Sequence, residues 1–380
     1  MKLLNLLKAY CKKYPSKAAI KYSEKIIYYK NFWEKINIYY KFMKQNKISK
    51  IIIIENNKEN EFCYVAFFAS LLSKTTYIPI SLDTPKKRIQ KIINITEPCC
   101  VLSLDKKKYV NTKNIKPEDI YDCKIIKKSK KIISNIAYII FTSGSTGEPK
   151  GVSISRNALD HYVQWLSKFI FNKKNIKCPH FSRIGFDLSI VDIYGTLCTG
   201  NTLFPMNSAY DRTFLNKFIK RNKINFWVSV PTAVELFNLI KKSELKSIEK
   251  YFFCGEPLKK QHLEKIFKIN KNSIIYNTYG PTEATVSCSL LKLNNKNYKK
   301  YNLSNISFGK PIKNMSFNLY GDNKYEGELL ISGVQLASGY LNNKKLSQEK
   351  FIIQNKKKFY KTGDICKKIK GNFYFLNRKD

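Results

Sequence analysis

Thr142-Ser143-Gly144-Ser145-Thr146-Gly147-Glu148-Pro149-Lys150-Gly151 is the stretch on which the reading of this fold turns. It follows Ile136-Ala137-Tyr138-Ile139-Ile140-Phe141, a continuous apolar run that predicts a strand buried on both faces. Beyond it Leu159, Tyr162, Val163, Leu166 and Ile170 recur at helical spacing, which predicts an amphipathic helix. The segment between is therefore expected to be a loop from strand to helix. Glycines let backbone N–H groups turn inward, and the hydroxyls add donors. Thr142, Ser143, Gly144, Ser145, Thr146 and Gly147 are thus candidates to cradle a phosphate chain, with Lys150 as countercharge. It is not a Walker A loop, because Lys150 precedes its glycine. A flexible Gly/Ser linker is the plainer alternative, and the buried strand in front of it argues against that.

Outward from this stretch, short strands alternate with helical patterns. Towards the N-terminus, Ile51–Ile54, Tyr77–Ile80 and Cys99–Leu104 read as strands. Phe62, Val65, Ala66, Ala69 and Leu72 fall at helical spacing between the first two. Thr84 before Pro85 predicts an N-cap with proline in the first turn. Residues 105–134 are Lys-rich and without period, and read as an exposed, loosely structured connection. Further on, Thr202–Phe204, Phe226–Val230, Tyr251–Cys254 and Ile274–Tyr276 continue the rhythm. This is the pattern of βα units around largely parallel sheets. After about residue 287 it gives way to short alternating strands with frequent glycines, the mark of a small β-barrel. The expected organisation is two packed α/β subdomains, residues 1–130 and 131–290, followed by a β-barrel over 291–380.

Composition narrows the function classes. A chain of 380 residues with 43% apolar residues has ample material for a core, and no apolar run approaches the length of a membrane span. The N-terminus lacks a signal-peptide core. Ten cysteines show no paired metal spacing, so reduced, mostly buried thiols and a cytoplasmic location are expected. The net charge of +41 raises nucleic-acid binding. Against it, the lysines are spread along the chain and no nucleic-acid module is present, so no nucleic-acid partner is expected. An acidic protein partner is.

The second chemistry-bearing stretch is Asn277-Thr278-Tyr279-Gly280-Pro281-Thr282-Glu283. Gly-Pro turns the chain directly after a strand, where ligand sites of α/β sheets form, so Thr282 and Glu283 project there. A carboxylate beside phosphates requires a metal between them, which makes Thr282 and Glu283 candidates for a Mg²⁺–ATP contact. Tyr279 offers a flat face for a purine and Asn277 an amide for its edge.

T-S-G-S-T-G-x-P-K-G together with Y-G-P-T-E resembles the adenylate-forming superfamily, and the resemblance runs over essentially the whole chain. Tyr360-Lys361-Thr362-Gly363-Asp364 is similar to its T-G-D element, which implies that Asp364 holds ribose hydroxyls. Asn377-Arg378-Lys379-Asp380 resembles its G-R-x-D with Asn377 in place of glycine, implying a ribose or phosphate contact for Arg378 and a hinge at Asp380. Within the superfamily, Phe186-Asp187-Leu188-Ser189 and Phe253-Cys254-Gly255-Glu256 resemble amino-acid adenylation domains. That implies Asp187 on the substrate ammonium, a contact that amine-free acids would leave unmade. A helix N-cap is the plainer role for Asp187. By the same resemblance Leu188, Val191, Val228, Cys254, Thr278, Val286 and Ser287 line a pocket for a small aliphatic amino acid, D-alanine foremost. Gly255, Glu256, Thr278 and Gly280 border the nucleotide.

The implied reaction is ATP- and Mg²⁺-dependent formation of an aminoacyl adenylate, with Lys150, Thr282 and Glu283 at the reacting phosphates. Transfer to the phosphopantetheine thiol of an acidic carrier protein then follows. A ligase for another amino acid or a plain carboxylic acid, delivering to coenzyme A, and nucleotide binding without turnover are the competing expectations. In the family a lid with a catalytic lysine follows the hinge. A chain ending at Asp380 is therefore expected to adenylate slowly.

Overall fold

The structure, a computed structural model, describes residues 1–105, 108–122, 134–143 and 148–379, with the side chains of Ser143, Asn238, Leu239 and Asp322 also left out. Alternation along the strands explains its layers. In Lys50–Ile54, Ile51 and Ile53 face one core while Ile52 and Ile54 face another. The strand belongs to a seven-stranded sheet. Five of its members, Lys113–Ile115, Cys100–Leu102, Lys50–Ile54, Thr76–Ile80 and Ile136–Ser143, run parallel. Helix Lys86–Thr96 covers the outer face through Ile89, Ile92 and Ile93.

The inner face packs on helices Tyr29–Gln45, Phe62–Ser73 and Arg156–Trp165. Phe62–Ser73 is apolar almost all round because it lies between sheets: every residue but Leu72 is buried. On its far side lie Ile20, Cys178, Leu203, Phe226, Val228 and Phe252, from a four-stranded and a five-stranded sheet. Trp227, Tyr251 and Phe253 point the other way, onto helices Leu215–Asn222 and Lys260–Ile269. The result is five alternating layers of helix and sheet. Strands Phe226–Ser229, Lys250–Phe253 and Ile274–Asn277 are parallel, so their carboxyl ends share one edge. Met315–Asn323, Glu326–Gly333, Phe351–Gln354, Lys357–Ile369 and Asn372–Arg378 form a curled antiparallel half-barrel.

Three local expectations change. The glycine-rich stretch does not lead straight into a helix: Pro149–Ser155 is a strand, antiparallel to Ile136–Ser143, with Thr142 opposite Lys150. Its Val152 and Ile154 are buried, a period-two signal that the preceding Pro-Lys-Gly obscures. The helix begins at Arg156, with the Ser155 hydroxyl accepting from the Ala158 N–H. Within 105–134, Lys113–Ile115 adds an edge strand and Pro117–Tyr121 a short helix, anchored by buried Ile115 and Ile120. Two apolar residues among lysines are enough to dock an edge. Finally Pro85, not Thr84, caps helix Lys86–Thr96. Among the described residues no helix is long and apolar enough to cross a membrane.

Candidate functional site

The carboxyl ends of the parallel strands open into three adjoining cavities. The first, of about 250 Å³, is bordered by Gly255, Glu256, Asn277, Thr278, Tyr279, Gly280, Asp364 and Arg378. Asn277 ends its strand, and its side-chain amide donates to the Ser307 carbonyl (2.8 Å), which fixes its rotamer. The Tyr279 ring stacks on Phe308 at 4.4 Å between centroids, so one face is already covered and the cavity side remains. Its hydroxyl donates to Asp364 Oδ2 (2.5 Å). Burial, with the Asp364 charge behind it, pushes that phenol well above its ordinary range. Asp364 stands opposite Arg378 on the paired strands, with Arg378 Nη1 3.5 Å from Asp364 Oδ1. A carboxylate held at a cavity wall by a phenol and a guanidinium is suited to vicinal hydroxyls. Glu256 is fixed at the rim by the Thr232 hydroxyl (2.6 Å).

The second cavity, about 520 Å³, shares Gly255 and Gly280 with the first and adds Asp187, Leu188, Cys254, Thr282 and Val286. Gly280 is required there: a Cβ would stand 2.6 Å from the Ser287 Cα and 2.9 Å from the Val286 carbonyl. Opposite it, Thr285 (φ 57°) and Val286 (φ 70°) both hold left-handed backbone, costly for β-branched residues. The Thr285 hydroxyl donates to the Gln335 carbonyl (2.6 Å), and the Cys254 thiol donates to the Val286 carbonyl (3.3 Å). Burial raises the Cys254 thiol to about 12, so it is a neutral wall. Thr278 lies beneath, its hydroxyl on the Phe253 carbonyl (2.8 Å).

Asp187 sits where this cavity meets a third, of about 500 Å³, that reaches Thr142 at the end of the glycine-loop hairpin. Burial raises its carboxyl to about 6, against the Thr282 hydroxyl that favours the charge and with the Glu283 charge that opposes it. It opens a helical turn, its carbonyl accepting from Ile190 (2.9 Å), so its backbone does part of a cap's work while its side chain lines the cavities. Lys150, the cross-strand partner of Thr142, lies on the same face of the hairpin. Ser143 pairs with Pro149 through its backbone. Gly144, Ser145, Thr146, Gly147 and Asp380 lie outside the described residues.

Not every expected pocket residue reaches the cavity. Val191, Val228 and Ser287 are fully buried behind it. Val191 and Val228 belong to the central core, and the Ser287 hydroxyl pairs with that of Tyr162 (2.9 Å). Sequence spacing places a residue near a pocket but does not say which layer it fills. Glu283 follows Thr282 in a short helical turn, and its Oε1 accepts from the Tyr340 hydroxyl (2.5 Å). Tyr340 escaped sequence reading because Gly339-Tyr340-Leu341 looks like any apolar strand. Among the described residues no three His, Cys, Asp or Glu gather as a metal cage. One carboxylate beside a hydroxyl nevertheless fits Mg²⁺, which takes its other ligands from phosphate and water.

Residues 7–341 match the family model for the AMP-binding enzyme. The chain belongs to the AMP-binding enzyme family. A D-alanine--D-alanyl carrier protein ligase of Staphylococcus epidermidis is 29% identical, aligned over all of this chain and 78% of its own length. The protein of the same name from Staphylococcus aureus is 27% identical with the same coverage. Among solved structures, the N-terminal subdomain of Klebsiella oxytoca NpsA in complex with 3-hydroxybenzoyl-AMSN superposes with a TM-score of 0.84 at 19% identity, covering 99% of both chains. The Vibrio cholerae adenylation domain AlmE in complex with glycyl-adenosine-5'-phosphate gives 0.84 at 22% identity, covering all of this chain and 79% of its own. At these identities the structures establish a shared fold.

Proposed function

We propose that this AMP-binding enzyme is a ligase that activates a small amino acid, D-alanine foremost, for a carrier protein. The observation that carries the reading is Asp187, a carboxylate at the junction of two cavities, with Leu188, Cys254 and Val286 on the wall of the second. An α-ammonium there meets a carboxylate whose charge burial makes costly to leave alone. The relatives' names raise D-alanine above other small amino acids.

In the first step a substrate carboxylate oxygen attacks the α-phosphorus of ATP, the bond to the bridging oxygen breaks, and pyrophosphate leaves. Asp187 fixes the amine, Asp364 and Arg378 hold the ribose, and Asn277 and Tyr279 bound the base. Lys150 with Thr142–Gly147 takes the phosphates. Positioning and charge neutralisation do most of the work at such sites. Thr282 and Glu283 would hold Mg²⁺ bound with the nucleotide, which would supply charge neutralisation on the phosphates. In the second step a phosphopantetheine sulfur attacks the acyl carbon, forming the thioester and expelling AMP.

Pyrophosphate exchange with D-alanine, L-alanine, glycine, a bulky amino acid and propionate tests the reading. Exchange with the small amino acids is expected, D-alanine leading, and Asp187→Asn should reduce it roughly 10–100-fold by removing one charged hydrogen bond. Propionate as good as alanine, or an Asp187→Asn enzyme of undiminished rate, overturns it.

A further inference from the structure

The segment 337–341 runs between three parts of the molecule and bonds to each. Gly339 and Tyr340 pair with Ser153 and Val152 of the glycine-loop hairpin, and the Ser338 and Leu341 N–H groups donate to the Ser153 (2.9 Å) and Gly151 (2.8 Å) carbonyls. The Ala337 N–H donates to the Glu283 carbonyl (2.7 Å). From the half-barrel, Lys358 Nζ donates to the Ala337 (2.8 Å) and Ser338 (3.3 Å) carbonyls. Phe351 packs between the rings of Tyr340 and Tyr360, at 5.9 and 5.0 Å.

At the centre of this strap the Glu283 carboxylate receives the Tyr340 hydroxyl. The Tyr360 ring lies beyond Phe351, near enough for the Glu283 charge and the Tyr340 hydroxyl to bear on its own hydroxyl. A free glutamate on a three-residue turn has several rotamers. The Tyr340 donor leaves it few, with the second oxygen and its remaining lone pairs to spare.

We propose that Tyr340, with Tyr360 beside it, is a positioning residue for Glu283, setting the metal-binding carboxylate in register with the hairpin that carries the glycine loop. The proposal rests on the reading of Glu283 as a Mg²⁺ ligand. It makes the half-barrel part of the phosphate site: Tyr360, Phe351 and Lys358 hold the strap, the strap holds Glu283, and no half-barrel side chain in this chain of contacts needs to touch nucleotide.

Calorimetry of a non-hydrolysable ATP analogue, with Mg²⁺ titrated from zero, tests this on wild type, Glu283→Gln, Tyr340→Phe and Tyr360→Phe. Glu283→Gln is expected to lose the metal-dependent gain in affinity. Tyr340→Phe should keep the metal-free affinity while needing roughly tenfold more Mg²⁺ for half the gain, the scale of one charge-assisted hydrogen bond. Its adenylation rate should recover at high Mg²⁺, and Tyr360→Phe should shift the same way by less. Wild-type Mg²⁺ dependence in both tyrosine variants, with the gain lost in Glu283→Gln, overturns the positioning role. So does a loss that metal-free affinity shares and Mg²⁺ does not restore. An unchanged gain in Glu283→Gln is a different failure, that of the metal reading itself. Should Tyr340→Phe not fold, Tyr360→Phe carries the same decision.

Discussion

Asp187 is the residue whose environment has the clearest thermodynamic signature. Its carboxyl is pushed up to about 6, above the usual carboxylate range, because burial penalises the charge and the neighbouring Glu283 carboxylate adds to that penalty. In the substrate-free protein its contribution to stability is complete below about pH 4 and is lost as pH rises through about 6. Asp187→Asn should therefore be the more stable protein at pH 7, by up to about 3 kcal/mol for a shift of roughly two units, and no more stable at pH 4. Denaturant titrations at the two pH values measure the difference. An ammonium ligand selects the ionised form, so amino-acid affinity should fall about tenfold per unit below pH 6, while nucleotide affinity measured without amino acid keeps its own profile. A pH-independent amino-acid KM down to pH 5 would remove Asp187 from the ammonium role.

Among the elements, the turn 277–287 does most to shape the site, and Gly280 is its tightest point. Gly280→Ala places a methyl 2.6 Å from backbone that has no room to retreat, since Val286 and Thr285 already hold left-handed conformations. Overpacking of this kind costs typically about 1–3 kcal/mol. It should lower the melting temperature and weaken nucleotide and amino acid together, because Gly280 borders both cavities. Melting curves and binding of each ligand check this, and loss of one ligand alone would contradict the shared-wall geometry. The turn also shows what was readable in the sequence. Asn277, Tyr279, Thr282 and Asp187 stand at the cavities because each sits at or near a strand end or turn, and local patterns mark such places, whereas Asp364 lies mid-strand in Lys357–Ile369 and is marked only by the T-G-D resemblance. The sequence pattern did not show that Tyr279 is half-covered by Phe308, that Val191 and Val228 fill the layer behind, or that Tyr340 reaches Glu283. Each of these depends on contact between segments far apart in the chain. The strand Pro149–Ser155 was hidden for a different reason: a glycine and a proline dilute its alternation, and the pairing with Ile136–Ser143 settles its state.

For the whole molecule, the +41 charge is the property that no single site explains. If it steers an acidic carrier, association should slow tenfold or more between 50 and 500 mM salt, as the screening length contracts from above about 10 Å towards a few. Stopped-flow mixing with an acidic carrier protein measures this, and a flat salt profile would mark the lysines as surface composition only. The seven-stranded sheet carries a consequence of another kind. Its last edge is closed by Gly339–Tyr340, which pairs with Val152 and Ser153 from about 190 residues earlier. At about 5–20 residues per second, a ribosome exposes the hairpin roughly 10–40 s before its partner emerges. For that interval the nascent chain presents an unpaired strand edge carrying Val152 and Ile154, the kind of surface that chaperones hold and neighbouring polysomes can cross-pair. Slower translation between residues 156 and 338 lengthens that exposure, so yield of folded protein should depend on codon choice there more than after residue 341.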